Sequence, residues 1–184
     1  MTSLAAFTAL VALVGLERLA ELVVSTRNAA WSTERGGVET GQGHYPFMVV
    51  LHTGLLVGAL VEAWVRRPDV ASVLAWSMLS LVVVSQALRW WCIGTLGRRW
   101  NTRVIVVPGL APVSGGPYAA FRHPNYVAVV VEGFALPLVH SAWITALVFT
   151  VLNAGLLTVR IRAEDAALAT LPSPAPTRAE AAGA

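Results

Sequence analysis

YVAVVVEGFALPLVHSAWITALVFTVLNAGLLTV, residues Tyr126–Val159, is a run of 34 residues that holds one carboxylate, Glu132, and one histidine, His140. As a single straight helix it would reach about 51 Å, too long for one crossing of a ~30 Å hydrocarbon core and slightly short for two. Charge decides between these readings. Arg122 precedes the run, and Arg160 and Arg162 follow it. Basic residues favour the cytoplasmic side. A hairpin that turns near Pro137–Trp143 returns all three arginines to one side of the membrane.

The rest of the chain reads outward from that hairpin. Leu4–Val24 is long enough to span, although Glu17, Arg18 and Glu21 lie in its second half. Its leading Met1-Thr2-Ser3 lacks the basic region of a signal peptide, so the stretch is expected to be a retained span. Tyr45–Val65 is a second span, with His52 and Glu62 inside it. Val70–Ile93 is a third, and Arg89-Trp90-Trp91 near its end suits the interface. Gly94–Asn125 follows without helical pattern, rich in Gly, Pro and Arg. The loops with Arg27 and Arg35, and with Arg98, Arg99, Arg103 and Arg122, fall on the same side as Arg160. Only Arg66 and Arg67 fall opposite, in part balanced by Asp69. The expectation is an all-α integral membrane protein of about five transmembrane helices, N-terminus outside and C-terminus cytoplasmic. Residues 1–170 form one transmembrane domain, and 171–184, rich in Pro and Ala, form a disordered tail.

Composition agrees. Of 184 residues 56% are hydrophobic and 12% charged, against about 25% charged in soluble domains, which is too few ionic groups to cover a water-facing surface. All thirteen basic residues are Arg. No solvated basic surface with interleaved aromatics accompanies them, so nucleic acid is not an expected partner; anionic lipid head groups are. Cys92 stands alone, which excludes an intramolecular disulfide.

Ionisable groups inside a membrane are costly and by default functional. They fall here in three clusters. The first is Gly115-Gly116-Pro117-Tyr118-Ala119-Ala120-Phe121-Arg122-His123-Pro124-Asn125-Tyr126, with Glu132 beyond it. Pro124 suits the first turn of a helix whose free N–H groups can hold a carboxylate; a surface loop anchored by Tyr and Arg is the plainer reading. The second is Arg160-Ile161-Arg162-Ala163-Glu164-Asp165. Arg160 and Glu164, at i and i+4, form an ordinary intrahelical pair unless the hairpin brings them beside His123, and such convergence of remote polar groups is what an active site requires. The third comprises Glu17, Arg18, Glu21, Arg27, Asn28, Glu39, His44, Tyr45, His52 and Glu62. With four scattered histidines in the chain, no metal is expected. Hydrogen-bonded packing between spans, or the lining of an acceptor tunnel, is expected instead.

Gly116-Pro117-Tyr118, Arg122-His123-Pro124-Asn125-Tyr126 and Arg160-Ile161-x-x-Glu164 with Leu168 resemble the C-terminal half of the isoprenylcysteine carboxyl methyltransferase family, over roughly Trp100–Leu168. The family pattern has two adjacent glutamates where this chain has Glu164-Asp165, so a role is carried over to Glu164 only. Glu17-Arg18-Leu19-Ala20-Glu21-Leu22, Ser25-Thr26-Arg27-Asn28, Gly37-Val38-Glu39 and His44-Tyr45-Pro46 resemble a bacterial branch that O-methylates the alkylpyrone or alkylresorcinol products of type III polyketide synthases. The resemblance implies S-adenosylmethionine as methyl donor, held on the cytoplasmic side by Gly116, Pro117, Tyr118, Arg122, His123, Pro124, Asn125 and Tyr126. Arg160 and Glu164 would close the site as catalytic residues. Glu132, His52 and Trp100 would contact a lipophilic acidic acceptor. A polyketide synthase is then the expected pathway neighbour, and a bacterial cytoplasmic membrane the expected location. Membrane sterol-type reductases that bind NADPH, farnesylcysteine-type carboxyl methylation and a non-enzymatic scaffold are the alternatives.

Overall fold

The computed structural model describes residues 3–172, and the tail expected to be disordered lies outside them from residue 173 onward. Five helices organise the chain: α1 (Leu4–Thr33), α2 (Tyr45–Arg66), α3 (Ser72–Leu96), α4 (Pro124–Leu138) and α5 (Trp143–Leu168). Three helical segments, Gln42–Arg66, Ser72–Arg99 and Trp143–Leu168, are long and apolar enough to cross a membrane. The chain is therefore read as a helical integral membrane protein. At 15 residues α4 is shorter, about 22 Å by the helical rise.

The expected hairpin is present. Pro137 sits in the last turn of α4, Ser141 takes a left-handed conformation (φ 55°), and α5 starts at Trp143. Glu62 of α2 caps that start. Its carboxylate accepts from the backbone N–H groups of Ile144 (3.1 Å) and Thr145 (2.8 Å), from the Thr145 hydroxyl (2.9 Å), and from Arg66 (3.1 Å). A carboxylate is favourable at a helix N-terminus, where free N–H groups and the dipole converge. Gly133 lets the two arms close: a Cβ there would stand 1.9 Å from a ring carbon of Phe149. Phe7, Val11 and Val14 of α1, Ala59 and Ala63 of α2, Val82 of α3, and Ala135, Leu136 and Val139 of α4 form the apolar core.

Two features depart from the expectation. Helix α1 runs nine residues past Val24, to Thr33, because its polar residues there have partners. Ser25 Oγ accepts from the Thr102 N–H (2.9 Å), and Asn28 Nδ2 donates to the carbonyls of Trp100 (2.7 Å) and Gly97 (3.2 Å). The all-α expectation also omits a small antiparallel ribbon, β1 (Val38–Thr40) on β2 (Val104–Val106), with Glu39 opposite Ile105. The β-branched Val-Ile-Val run favours a pleated conformation.

Glu132, expected at the acceptor, lies in a buried ionic cluster between α1, α3 and α4. It is 5% exposed and accepts from Arg18 Nη2 (2.8 Å) and Arg89 Nη2 (2.5 Å). Arg18 also pairs with Glu21, while Gln86 and Trp90 both donate to Glu17.

Candidate functional site

The site lies where the C-terminal end of α5, the N-terminal end of α4, the 3-10 turn Gly116–Ala119, and the segment from Trp100 through β2 to Val113 enclose one pocket. The hairpin supplies the geometry: the C-terminal end of α5 returns beside the loop that leads into α4. Tyr118, His123, Asn125, Tyr126, Arg160 and Glu164 all line the pocket.

Arg160 and Glu164 do not pair directly. The Tyr126 hydroxyl stands between them, accepting from Arg160 Nε (2.9 Å) and donating to Glu164. The guanidinium also lies 5.5 Å from the Tyr126 ring centroid and donates to Met48 Sδ (3.2 Å). Arg160 is 5% exposed, and among the described residues no carboxylate lies within ion-pair distance of it. A buried charge is costly unless paired. This guanidinium therefore presents a positive charge to the pocket without a protein anion to absorb it.

His123 stacks on Tyr126 at 5.4 Å and has a carboxylate toward each ring nitrogen. Nδ1 is 3.7 Å from Glu164, an ion-pair contact, and Nε2 is 3.1 Å from Asp165 Oδ1. Glu164 first, with Asp165 adding to it, raises the imidazole above the ordinary histidine range against the opposing effect of burial. Tyr118 is pushed far above the ordinary phenol range, chiefly by burial and then by its neighbour Cys92, so it stays a neutral hydroxyl.

The remaining expected residues divide. Asn125 lines the pocket with its buried Oδ1 unpartnered, and Trp100, also lining, leaves its indole N–H unpartnered. Arg122 is 73% exposed at the side chain and pairs with Asp165 at 3.0 Å. Pro117 and Pro124 are buried supports, the latter in the first turn of α4. Gly116 faces away from the pocket lining: its φ is 56°, and a Cβ there would stand 2.6 Å from Thr95 Oγ1 of α3. The missing side chain lets the turn sit against α3. His52 bonds the Met48 carbonyl (2.8 Å) and meets Phe149 edge-on, outside the pocket lining. Among the described residues no group of three His, Cys, Asp or Glu side chains is arranged for a metal. Sequence reasoning left out Asp165 and Asn101, whose buried amide N–H also lacks a partner. Asp165 could have been found as the second acid of an adjacent pair; nothing marks Asn101 in the sequence.

S-Adenosylmethionine can be tested against this pocket. It carries a heteroaromatic base, a ribose and an amino acid zwitterion. Unpartnered donors at Trp100 and Asn101 and an unpartnered acceptor at Asn125 suit the polar edges. Val104, Val107, Leu110 and Leu168 supply an apolar wall. The residues fit the group.

A helical membrane protein with a polar pocket beside its C-terminal hairpin, built on these motifs, belongs to a recognisable class of membrane methyltransferases. Residues 76–170 match the model of the isoprenylcysteine carboxyl methyltransferase (ICMT) family, and the chain belongs to that family. An uncharacterized protein of Bacillus subtilis (strain 168), YpbQ, is 37% identical over 163 residues, covering 88% of this chain and 96% of that protein. An uncharacterized protein of Haemophilus influenzae is 24% identical over 155 residues, covering 84% of this chain and 90% of that one. No solved structure matches.

Proposed function

We propose that this chain is an S-adenosylmethionine-dependent O-methyltransferase that acts on a lipophilic, acidic small molecule, an alkylpyrone or alkylresorcinol. It crosses the membrane five times, with the N-terminus outside and the site and C-terminus cytoplasmic, and its pathway neighbour is a type III polyketide synthase. The observation that carries the reading is Arg160, a buried guanidinium facing the pocket with no carboxylate partner among the described residues. Methyl transfer to oxygen needs the nucleophile anionic in the transition state. A hydroxypyrone enol is already largely ionised near neutral pH, so a positioned cation helps more than a strong base. A resorcinol hydroxyl must lose its proton, and Glu164 or Glu132 would take it as base. The bound cofactor would supply the electrophilic methyl group, held through the contacts described above.

An apolar groove on the α4–α5 face supports a lipophilic acceptor. Val127, Val130, Val131, Leu157 and Ile161 line it, and it shares His123 and Tyr126 with the polar pocket. An acidic head at Arg160 can thus be continuous with an alkyl tail in the bilayer. Burial is worth about 0.8 kcal/mol per methylene, so chain length governs KM. It leaves kcat nearly unchanged, because tail contacts are the same in ground and transition states. The test is a membrane assay with methyl-labelled donor and a chain-length series of alkylpyrones and alkylresorcinols, scored against a farnesylcysteine analogue. The expected result is labelling of the long-chain polyketides with KM falling as the chain lengthens. Strong labelling of farnesylcysteine, with none of the pyrones or resorcinols, refutes the acceptor and returns the carboxyl-methylating activity.

A further inference from the structure

We propose that Asp165 is a positioning residue that latches the Arg122–His123 segment to α5 and thereby holds His123 against the pocket. The inference rests on the methyltransferase reading of the site. Asp165 Oδ1 lies 3.1 Å from His123 Nε2 and 3.0 Å from Arg122 Nη2, so one oxygen ties two consecutive residues of the loop to the last turns of α5. His123 in turn stacks on Tyr126, which carries the bonds to Arg160 and Glu164. The loop, the start of α4 and the end of α5 are thus joined through one imidazole.

Charge explains why both acids are used. A neutral imidazole donates from only one nitrogen, whereas His123 has a carboxylate toward each. The arrangement suits the imidazolium, which balances Glu164 while Arg122 balances Asp165. The charged and titratable groups about His123 are Glu164 and Asp165 of α5, with Arg160 beyond Tyr126; Tyr126 of α4; Tyr118 of the Gly116–Ala119 turn; and Arg122 beside it. The contact to Arg122 is largely solvent-exposed and weak by itself, so the latch depends on the His123 contact. Because the folded imidazole titrates above the unfolded one, the latch is fully engaged below the unfolded value of about 6.5 and is released as pH rises through the folded value.

The experiment has two readouts on the detergent-solubilised full chain: the His123 imidazole titration by NMR, and the affinity for S-adenosylhomocysteine by calorimetry across the same pH range. Asp165→Asn should lower the His123 midpoint and weaken S-adenosylhomocysteine about tenfold near neutral pH. Asp165→Glu, keeping the charge, should restore affinity to within threefold. A merely structural role would move affinity without moving the midpoint. An unmoved midpoint in Asp165→Asn overturns the proposal, as does a moved midpoint with unchanged affinity, or an Asp165→Glu variant no better than Asp165→Asn. Failure of the unmutated chain to bind S-adenosylhomocysteine strikes instead at the methyltransferase reading, and the His123 titration then decides the latch alone.

Discussion

Replacement of Arg89 by Met tests whether the buried cluster beneath the site is an ionic unit or a set of ordinary hydrogen bonds between helices. The cluster holds Glu17, Glu21 and Glu132 against Arg18 and Arg89, a formal charge of −3 + 2 = −1 with every acid ionised. Arg89 is its deepest cation: it is 6% exposed, donates to Glu132 at 2.5 Å and lies 3.6 Å from Glu21. Arg89→Met leaves three acids on one arginine, a formal −3 + 1 = −2. Removing one partner of a buried pair costs about 3–5 kcal/mol, whereas an interhelical hydrogen bond in a membrane averages about 0.6 kcal/mol. The two accounts differ several-fold, and the ionic one predicts a loss of roughly two to three and a half decades in the folding equilibrium. It also predicts rescue. Adding Glu132→Gln returns the charge to −1, fills the same volume and should recover most of the loss, although it removes a second polar contact. Unfolding of the detergent-solubilised protein in a graded SDS titration, followed by tryptophan fluorescence, measures both. A loss near 0.6 kcal/mol in Arg89→Met, or a double variant less stable than the single, would refute the reasoning. Retained stability with abolished methyl transfer in Glu132→Gln alone would favour Glu132 over Glu164 as the base.

Two further outcomes are expected. Arg160→Ala should lower methyl transfer by roughly 10²–10³-fold, the usual cost of removing one preorganised charge-stabilising donor, and Arg160→Lys should recover only part, since lysine has no fork to hold the Tyr126 hydroxyl and face the pocket together; labelled-donor transfer in membranes measures both, and an unaffected Arg160→Ala removes this residue from the chemistry. A reporter fused at Ala184 should read cytoplasmic and one inserted between Arg67 and Asp69 external, and the opposite pattern would invert the membrane orientation argued from arginine.

The hairpin was legible because its signals are local and additive. Length, Pro137 and the arginines at both ends of Tyr126–Val159 all agree, and α4 and α5 meet within the expected turn. The extension of α1 was not legible. Hydropathy ends at Val24, and what continues the helix is a set of bonds from Ser25 and Asn28 to residues some seventy positions away. The β1–β2 ribbon was hidden for the same reason: two three-residue strands carry too little alternation to be read singly, and each becomes a strand only against the other.

Carboxylates show where residue type stops being informative. Glu62, Glu132, Glu164 and Asp165 are all acids at or inside an apolar helix, and each has a different use. Glu62 caps the helix that returns from the turn; Glu132 neutralises arginines between three helices; Glu164 lines the pocket through Tyr126 and His123; Asp165 ties the loop. On the proposed function, the general rule that an intramembrane charge marks function applies in the catalytic sense to Glu164 alone. What separates them is the partner, and in each case the partner comes from another element or from across the hairpin. Arg160 is the informative exception. Glu62 and Glu132 meet arginines, Glu164 and Asp165 meet His123, but the Arg160 guanidinium is held by a phenol and a thioether. Neither ligand can neutralise it. Among the described residues it is the buried guanidinium that lines a cavity without an ion-pair partner, and on the proposed function it is the group that would meet an anionic acceptor.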